Sequence, residues 1–215
     1  MTTNLDHLVI GAHTLEEGVA YVESLFGVTM PYGGEHPHMG THNCLMQLGN
    51  GVFLEIIALN PQMMPPSRPR WFGLDDPFVR GQLKEKPRLI SWVVNTPDVK
   101  VVAGDASFSF GEITPLSRGS LNWLFALPED GRLLAGGAVP YTIEWKTTPH
   151  PAGQMADLGC RLSRLEIFHP HASWLNSILM EIGASQLVDI HEIGQNETFQ
   201  LKAIIDTPLG EKVLD

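Results

Sequence analysis

The chain is organised around the stretch Leu48-Gly49-Asn50-Gly51-Val52-Phe53-Leu54-Glu55-Ile56-Ile57-Ala58-Leu59, in which a tight-turn sequence leads into an apolar run. The Asn50-Gly51 pair supplies the positive φ angles of a hairpin turn, so residues 52–59 are predicted to be the second strand of a β-hairpin. Glu55 interrupts that strand, and burying an unpaired carboxylate costs more than the strand gains. Unless its face is open to solvent, Glu55 needs a cation, a strong hydrogen-bond donor or a retained proton. A metal ion is the leading candidate.

Composition and charge restrict the class of partner. Lys and Arg number 14 against 24 for Asp and Glu, a formal charge of −10, which argues against nucleic acid and against an acidic membrane surface. No segment approaches the roughly 20 apolar residues of a membrane helix, and the amino terminus lacks the pattern of a signal peptide. Cys44 and Cys160 are far apart and indicate neither a disulfide framework nor a zinc knuckle. We expect a cytoplasmic protein with a small-molecule ligand.

A strand and a helix precede the hairpin. Residues 5–11 are predicted to form a strand, and the capping box of Thr14 and Glu17 begins a helix that ends at Gly27. Short strands follow, the first ending at the glycine pair after Tyr32. The order over residues 1–60 is therefore strand, helix and three strands.

The segment 61–87 changes to a composition rich in proline, methionine, arginine and tryptophan. Its prolines are incompatible with a long regular element, and structureless segments of this length are usually linkers or covers of a functional site. The piece Arg70-Trp71-Phe72-Gly73-Leu74 is either an anchored part of a lid or the middle of a linker.

The strand-helix-strand order then recurs twice. Residues 88–148 are predicted to form a reduced copy, and residues 160–215 a third unit that packs with the others in one compact domain. Aligning residues 5–10 with 162–167 brings the first and last helices into register, which indicates a diverged internal repeat.

Several of these features together resemble the vicinal oxygen chelate superfamily, in particular its glyoxalase-like branch. The resemblance rests on the βαβββ order and on these pieces of sequence: Leu5-Asp6-His7-Leu8-Val9-Ile10, Gly51-Val52-Phe53-Leu54-Glu55-Ile56, Gly33-Gly34 with His36, Gly40-Thr41 and Asn43, Arg70-Trp71-Phe72-Gly73-Leu74, and Arg118 before the strand of Trp123. It implies an α+β fold of repeated βαβββ modules that form a cupped, mostly antiparallel sheet with helices on the outside. The metal and substrate would lie in the cup, and a homodimer is possible.

The resemblance also implies a ligand set from the first and last strands of paired modules. The matching positions are His7 and Glu55 in the first module, and Trp92 and Glu144 in the second. Trp92 stands where a histidine is expected, which leaves His7, Glu55 and Glu144 as metal ligands for zinc, nickel, manganese or iron. A buried histidine bonded to a backbone group is the alternative for His7, and a solvated carboxylate is the alternative for Glu144.

Further residues are candidates for contact with substrate. The family pattern assigns His36, Thr41 and Asn43 to the cup, although His36, His38 and His42 are also compatible with a polar surface loop or with a replacement for the missing imidazole. Arg118 has the planar fork that grips a carboxylate, and an exposed turn arginine is the alternative. Trp92 and Trp123 are either apolar walls for a ligand or core residues.

Two functions follow from these residues. The first is divalent-metal-assisted isomerase, lyase or related chemistry on a small oxygenated metabolite, in which Glu55 and Glu144 take part in catalysis. The second is a metal-free protein of the same fold that binds or sequesters a small molecule. Metal content distinguishes the two.

Overall fold

The structure is a computed structural model that describes residues 3–215. It contains twelve strands and four α-helices in a mixed α+β arrangement. The helices are α1 (Leu15–Phe26), α2 (Pro77–Glu85), α3 (Val99–Asp105) and α4 (Ala172–Glu181). The strands are β1 (Asn4–Gly11), β2 (Tyr32–His36), β3 (Thr41–Gln47), β4 (Phe53–Leu59), β5 (Arg88–Asn95), β6 (Glu112–Arg118), β7 (Leu121–Leu127), β8 (Tyr141–Trp145), β9 (Arg161–His169), β10 (Asp189–Glu192), β11 (Gln200–Thr207) and β12 (Gly210–Leu214).

The first two βαβββ modules share one curled sheet of eight strands. Its order is β2-β3-β4-β1-β5-β8-β7-β6, so the first strands of the two modules, β1 and β5, lie side by side at the centre. They pair antiparallel, whereas each pairs parallel with the last strand of its own module. The remaining pairs are antiparallel, and the helices lie outside the curl. The predicted fold class is confirmed.

Helix α1 shows why the sequence folds locally as it does. The Thr14 hydroxyl accepts a hydrogen bond from the backbone N–H of Glu17, which satisfies one of the free donors of the first turn. Gly27 ends the helix with a positive φ of 72°, a conformation that glycine adopts without steric cost. The buried face, which includes Val22 and Phe26, packs on the convex side of the sheet. The concave side therefore stays free for a ligand.

The third unit has the predicted element order but a different pairing. Its four strands form a separate sheet in the order β10-β9-β11-β12. Here the first strand, β9, lies between the second and third strands, while in the first module β1 lies beside the last strand, β4. Side chains of all three units join one contiguous hydrophobic core. The residue limits of the modules stay a prediction.

Two strands occupy other residues than the sequence predicted. Gly33 and Gly34 do not end a strand but lie inside β2, and Arg118 is the last residue of β6 instead of part of the turn. Side-chain packing explains the glycine pair, because a Cβ at Gly33 would lie 2.5 Å from Oδ1 of Asn43. At Gly34 a Cβ would lie 3.2 Å from Cδ of Arg118. The glycines leave room for two polar side chains of the neighbouring strands.

The proline-rich segment forms a wall of the cup. It contains α2, for which Asp76 provides the cap and Pro77 the first residue, so its prolines allow a nine-residue helix. The backbone N–H of Phe72 donates to the Tyr141 hydroxyl at 3.2 Å, and Gly73 donates to the carbonyl of Gly131 at 2.8 Å. These bonds attach the segment to the second module. Trp71 and Phe72 are buried against the concave face.

Candidate functional site

A cavity lies on the concave face of the large sheet, beneath Trp71 and Phe72. Its volume is about 50 Å³, which is room for roughly four water molecules. Its polar lining consists of His7, His36, Asn43, Glu55 and Arg118. The rest of the lining is apolar or aromatic and includes Leu45, Phe53, Trp71, Phe72, Trp123, Phe125, Ile143, Trp145, Pro151 and Met155.

Strand β1 places His7 in this cavity. The register between β1 and β5 shifts around Asp6, which forms a β-bulge. The bulge brings the side chains of Asp6 and His7 together, whereas in a regular strand they would point to opposite faces. Nδ1 of His7 lies 2.6 Å from Oδ1 of Asp6, and the ring stacks on Phe53 with centroids 4.4 Å apart. Since a carboxylate accepts, Nδ1 carries the proton. The free Nε2 of His7 belongs to the cavity side.

Asp6 is fully buried and accepts from four side chains. Besides His7, its donors are His150, Asn95 and Trp145, each 2.9 Å from Oδ2. Burial alone would raise the pKa of the carboxyl. The hydrogen bonds from His150, His7 and Asn95, together with the charge of His7, outweigh that effect and hold the pKa of Asp6 well below its ordinary value. Asp6 is therefore a fixed anion that orients His7.

Glu55 lies opposite His7 on strand β4, as predicted, and is 6% exposed. Its Oε1 accepts a hydrogen bond of 2.6 Å from Nδ2 of Asn43, and its Oε2 lies 3.6 Å from Nε2 of His7. Of the partners that the sequence left open for this carboxylate, the structure contains a strong hydrogen-bond donor. The separation of 3.6 Å is too long for a hydrogen bond, so Oε2 can still accept one from a ligand.

Arg118 connects the remaining polar groups. Its Nη1 lies 3.0 Å from Oδ1 of Asn43 and 3.2 Å from Nε2 of His36. Since the guanidinium donates, Nε2 of His36 accepts, and Nδ1–H of His36 donates to the Thr41 hydroxyl at 3.1 Å. Burial and the nearby charge of Arg118 lower the pKa of His36 to about 3, so this imidazole is neutral. Burial also lowers the pKa of Arg118.

The two modules can be aligned on their bulges. The pairing of β1 and β5 is irregular at Asp6 and at Ile90, and the cap of the following helix lies eight residues later in each module, at Thr14 and Asp98 (14 − 6 and 98 − 90). This common spacing fixes which residues of the two modules correspond. An offset of 84 residues relates the first strands.

In this alignment Ser91 corresponds to His7, and Tyr141 corresponds to Glu55. The second match follows from the parallel pairs Val9 with Glu55 and Val93 with Tyr141. The Tyr141 hydroxyl accepts from the backbone of Phe72 and donates to the carbonyl of Arg132. The second module therefore brings neither a histidine nor a carboxylate to the cavity.

The predicted roles of Trp92 and Glu144 are corrected by this geometry. Trp92 is paired with Leu8, not His7, and its fully buried ring donates Nε1–H to the carbonyl of Ala138. Glu144 accepts from the first backbone N–H of α3 and pairs with Lys146. Both side chains lie on the convex face, because alternate residues of a strand point to opposite faces.

The structure brings the other predicted residues together. His7, Glu55, His36, Asn43, Arg118 and Trp123 line the cavity, and Thr41 supports His36 from behind. His38 is exposed and His42 lines a different groove beside α1, so neither supplies the imidazole that the second module lacks.

Sequence reasoning missed Asp6 and His150. Asp6 carried a signal, since a second ionisable residue beside His7 in an apolar strand also needs partners when buried. His150 carried none, because it lies in a loop and reaches Asp6 only through the tertiary fold.

The residues at the cavity do not fit a metal centre. A catalytic zinc site usually takes three protein ligands, but only Nε2 of His7 and Oε2 of Glu55 are available here. Across residues 3–215, no group of three or more His, Cys, Asp or Glu side chains is placed to hold an ion. The guanidinium of Arg118 already supplies positive charge beside Glu55.

An open groove of about 510 Å³ leads to the cavity. Groove and cavity share four lining residues, which are Leu45, Arg118, Pro151 and Met155. Arg118 thus stands at the passage between solvent and the buried His7 and Glu55 pair.

The paired βαβββ modules and the polar cluster in their cup define a protein with the vicinal oxygen chelate fold. The chain belongs to the glyoxalase-like domain family, whose model matches residues 5–183. In that region lie both modules of the cup and every polar residue of the cavity.

Solved structures resemble this chain at low sequence identity. A hypothetical protein from Staphylococcus aureus is 13% identical, and the match covers 99% of this chain and 84% of that chain with a TM-score of 0.58. Methylmalonyl-CoA epimerase from Mycobacterium tuberculosis is 15% identical, with 70% of this chain and 91% of that chain covered at a TM-score of 0.43. No curated protein matches the chain in sequence. Between residues 3 and 215 no helix is both long and apolar enough to cross a membrane.

Proposed function

We propose that this protein is an enzyme that moves a proton at a carbon beside a carbonyl group of a small oxygenated molecule, in an isomerase or lyase type of reaction. The observation that carries the proposal is the Asp6–His7–Glu55 arrangement in a buried, mostly apolar cavity. A histidine whose other nitrogen is fixed by a buried carboxylate is a typical general base.

The proposed proton transfer uses His7 and Glu55 on one substrate. Nε2 of His7 removes the proton from the carbon, the electron pair moves to the carbonyl oxygen, and an enolate forms. Asp6 stabilises the resulting imidazolium without taking its proton. Nε2 of His7 then returns the proton to the oxygen or the neighbouring carbon, and the Glu55 carboxylate, with Oε2 at 3.6 Å from Nε2, stabilises the imidazolium in the meantime. The Arg118 guanidinium stabilises the negative charge that develops in between.

A divalent ion is the competing proposal, and one observation favours it. A histidine that donates Nδ1–H to a carboxylate is also the usual arrangement of a metal-bound histidine. The number of available side chains is the argument against it. The third proposal is a metal-free protein that binds a small molecule in the same cavity without converting it.

Solvent deuterium exchange tests the proposal. Protein treated with EDTA is incubated in D₂O with pyruvate, 2-oxobutyrate or hydroxyacetone, and NMR follows loss of the protons next to the carbonyl. We expect exchange with at least one compound, and a loss of about 100-fold or more in His7→Asn and in Glu55→Gln. His191→Asn, an exposed histidine of the third unit, is the matched control.

Three results would contradict the proposal in different ways. Exchange that appears only after metal is restored supports metal-assisted chemistry. Binding of these compounds without exchange supports the binding protein. Exchange unchanged in His7→Asn removes the proposed base.

Two further expectations belong with this proposal. The cup is formed by two modules of one chain, so a homodimer is not needed to complete it, and light scattering of the purified protein tests whether a dimer forms. A cytoplasmic location is supported by the two cysteines, which are buried and unbridged.

A further inference from the structure

The free donors at the cavity indicate what the substrate carries. Arg118 makes its hydrogen bonds to protein through Nη1 alone, and within residues 3–215 its Nη2 and Nε have no partner. A guanidinium with a free edge binds a planar oxyanion through two parallel hydrogen bonds.

Trp71 forms an aromatic wall of the same cavity. Its ring lines the cavity and packs edge-on against His36, with centroids 4.9 Å apart. The side chain is 5% exposed, yet the indole N–H finds no acceptor in the part of the chain that the structure describes. That nitrogen has essentially no exposed surface, so a ligand atom does not reach it, and Trp71 offers a ligand only its ring.

The charges of the lining favour a ligand with a single negative charge over a ligand with two. Arg118 is the one permanent cation among the cavity residues of the described chain, and Glu55 lies close enough to interact with it. His36 is neutral because burial and Arg118 lower its pKa to about 3. One cation beside an existing carboxylate suits a carboxylate better than a doubly charged phosphate.

From this free edge we infer that the substrate is a short carboxylic acid whose carboxylate is held by Nε and Nη2 of Arg118. The inference rests on the proposed function for the oxygen at the neighbouring carbon, which makes the substrate a 2-oxo or 2-hydroxy acid. The cavity of about 50 Å³ and the groove that shares its lining favour a small molecule that extends from one into the other. Arg118 at the passage places the carboxylate toward the mouth and the reacting carbon toward His7.

Calorimetric titration of the intact protein tests the inference through binding alone. The probes are pyruvate and 2-oxobutyrate, the primary amide of each as a neutral analogue of the same shape, and inorganic phosphate. We expect the acids to bind at least about 10-fold more tightly than the amides and more tightly than phosphate.

Variants locate the carboxylate. Arg118→Gln should weaken acid binding by about 10-fold or more, while Arg164→Gln, an exposed arginine paired with Glu166 in the third unit, should not change it. Circular dichroism and melting temperature establish that each variant is folded.

Equal binding of acid and amide, tighter binding of phosphate, no binding of either acid, or an unchanged affinity in folded Arg118→Gln would overturn the inference. Its failure is separable from that of the proposed function. Acid binding that persists in His7→Asn, without exchange in the wild type, keeps the inference and removes the proposed chemistry. Exchange of hydroxyacetone without binding of either acid keeps the proposed chemistry and removes the inference about the carboxylate.

Discussion

Single residues decide how the cavity is used. Asp6 and His36 are both buried and titratable, but their surroundings act in opposite directions on charge. Four donors surround Asp6 and favour its anion, whereas burial and the adjacent Arg118 favour neutral His36. The lowered pKa of Asp6 adds stability that is full above the ordinary pKa of an aspartate and is lost as pH falls toward the folded value. At neutral pH Asp6 is therefore charged and His36 is neutral.

The lowered pKa of His36 predicts a loss of stability at mildly acidic pH. The unfolded chain takes up a proton near pH 6.5, while the folded chain does so only near pH 3, so stability falls as pH drops through that range. At pH 5 the loss relative to neutral pH should be about 2 kcal/mol. Urea unfolding between pH 7 and 5 measures it, with His36→Gln as the variant that should lose about 2 kcal/mol less. An equal pH dependence in both proteins would contradict the assignment.

Strand β2 shows how an element serves the site. Its glycine pair gives up side-chain packing and leaves room for Asn43 and Arg118, which carry the contacts from the first module to the second. The hydrogen bond from Asn43 to Glu55 depends on that room. The sequence predicted that this strand ends at its glycine pair, but β2 continues to His36, which lines the cavity.

Gly33→Ala should destabilise the protein by about 1–3 kcal/mol, because the new methyl group overlaps Oδ1 of Asn43 and Cγ of Leu45. It should also weaken any activity that depends on Glu55, since Asn43 must move. Gly81→Ala in α2 is the matched control, as nothing lies within 4 Å of the added Cβ. That control should stabilise the helix by about 0.5–1 kcal/mol. Chemical denaturation of both variants compares them, and equal stabilities would show that β2 can adapt.

At the scale of the whole molecule, the third unit is attached to the cup by backbone and side-chain bonds. The N–H of Leu162 donates to the carbonyl of Leu48, and the N–H of Leu89 donates to the carbonyl of Asp215. The hydroxyl of Thr3 donates to the carbonyl of Ile182. These bonds, with the shared core, join the last unit to both ends of the central strands.

Removal of residues 160–215 should therefore abolish cooperative folding of the remainder. The apolar side chains of the third unit that complete the core would be lost, and the matching surface of the cup would be exposed to water. Thermal unfolding followed by circular dichroism, with the full chain as reference, measures the effect. A truncated protein that melts cooperatively near the temperature of the full chain would show that the cup is an independent domain.

The predictable part of the fold came from local signals. The capping box at Thr14, the glycine at Gly27 and the apolar run around Glu55 depend on neighbouring residues, and the structure contains the helix and strand that they predict. The shifted strands β2 and β6 were not predictable in this way. Their limits depend on the packing of Gly33 and Arg118 against side chains far away in the sequence.

For this protein the sequence by itself determined the α+β class, the βαβββ order and the placement of His7 and Glu55 on strands of one module. Only the tertiary structure decided that Trp92 and Glu144 face outward. The bulge at Ile90 sets which side chains of β5 point into the cup, and the pairing of β5 with β8 puts Tyr141, not Glu144, at the position of Glu55. The bonding of Asp6 is likewise mostly tertiary, since three of its four donors, Asn95, Trp145 and His150, lie 89 or more residues away in the sequence. Contacts between distant segments determine where a side chain points and whether it is charged, whereas local sequence patterns determine only whether a segment is a helix or a strand.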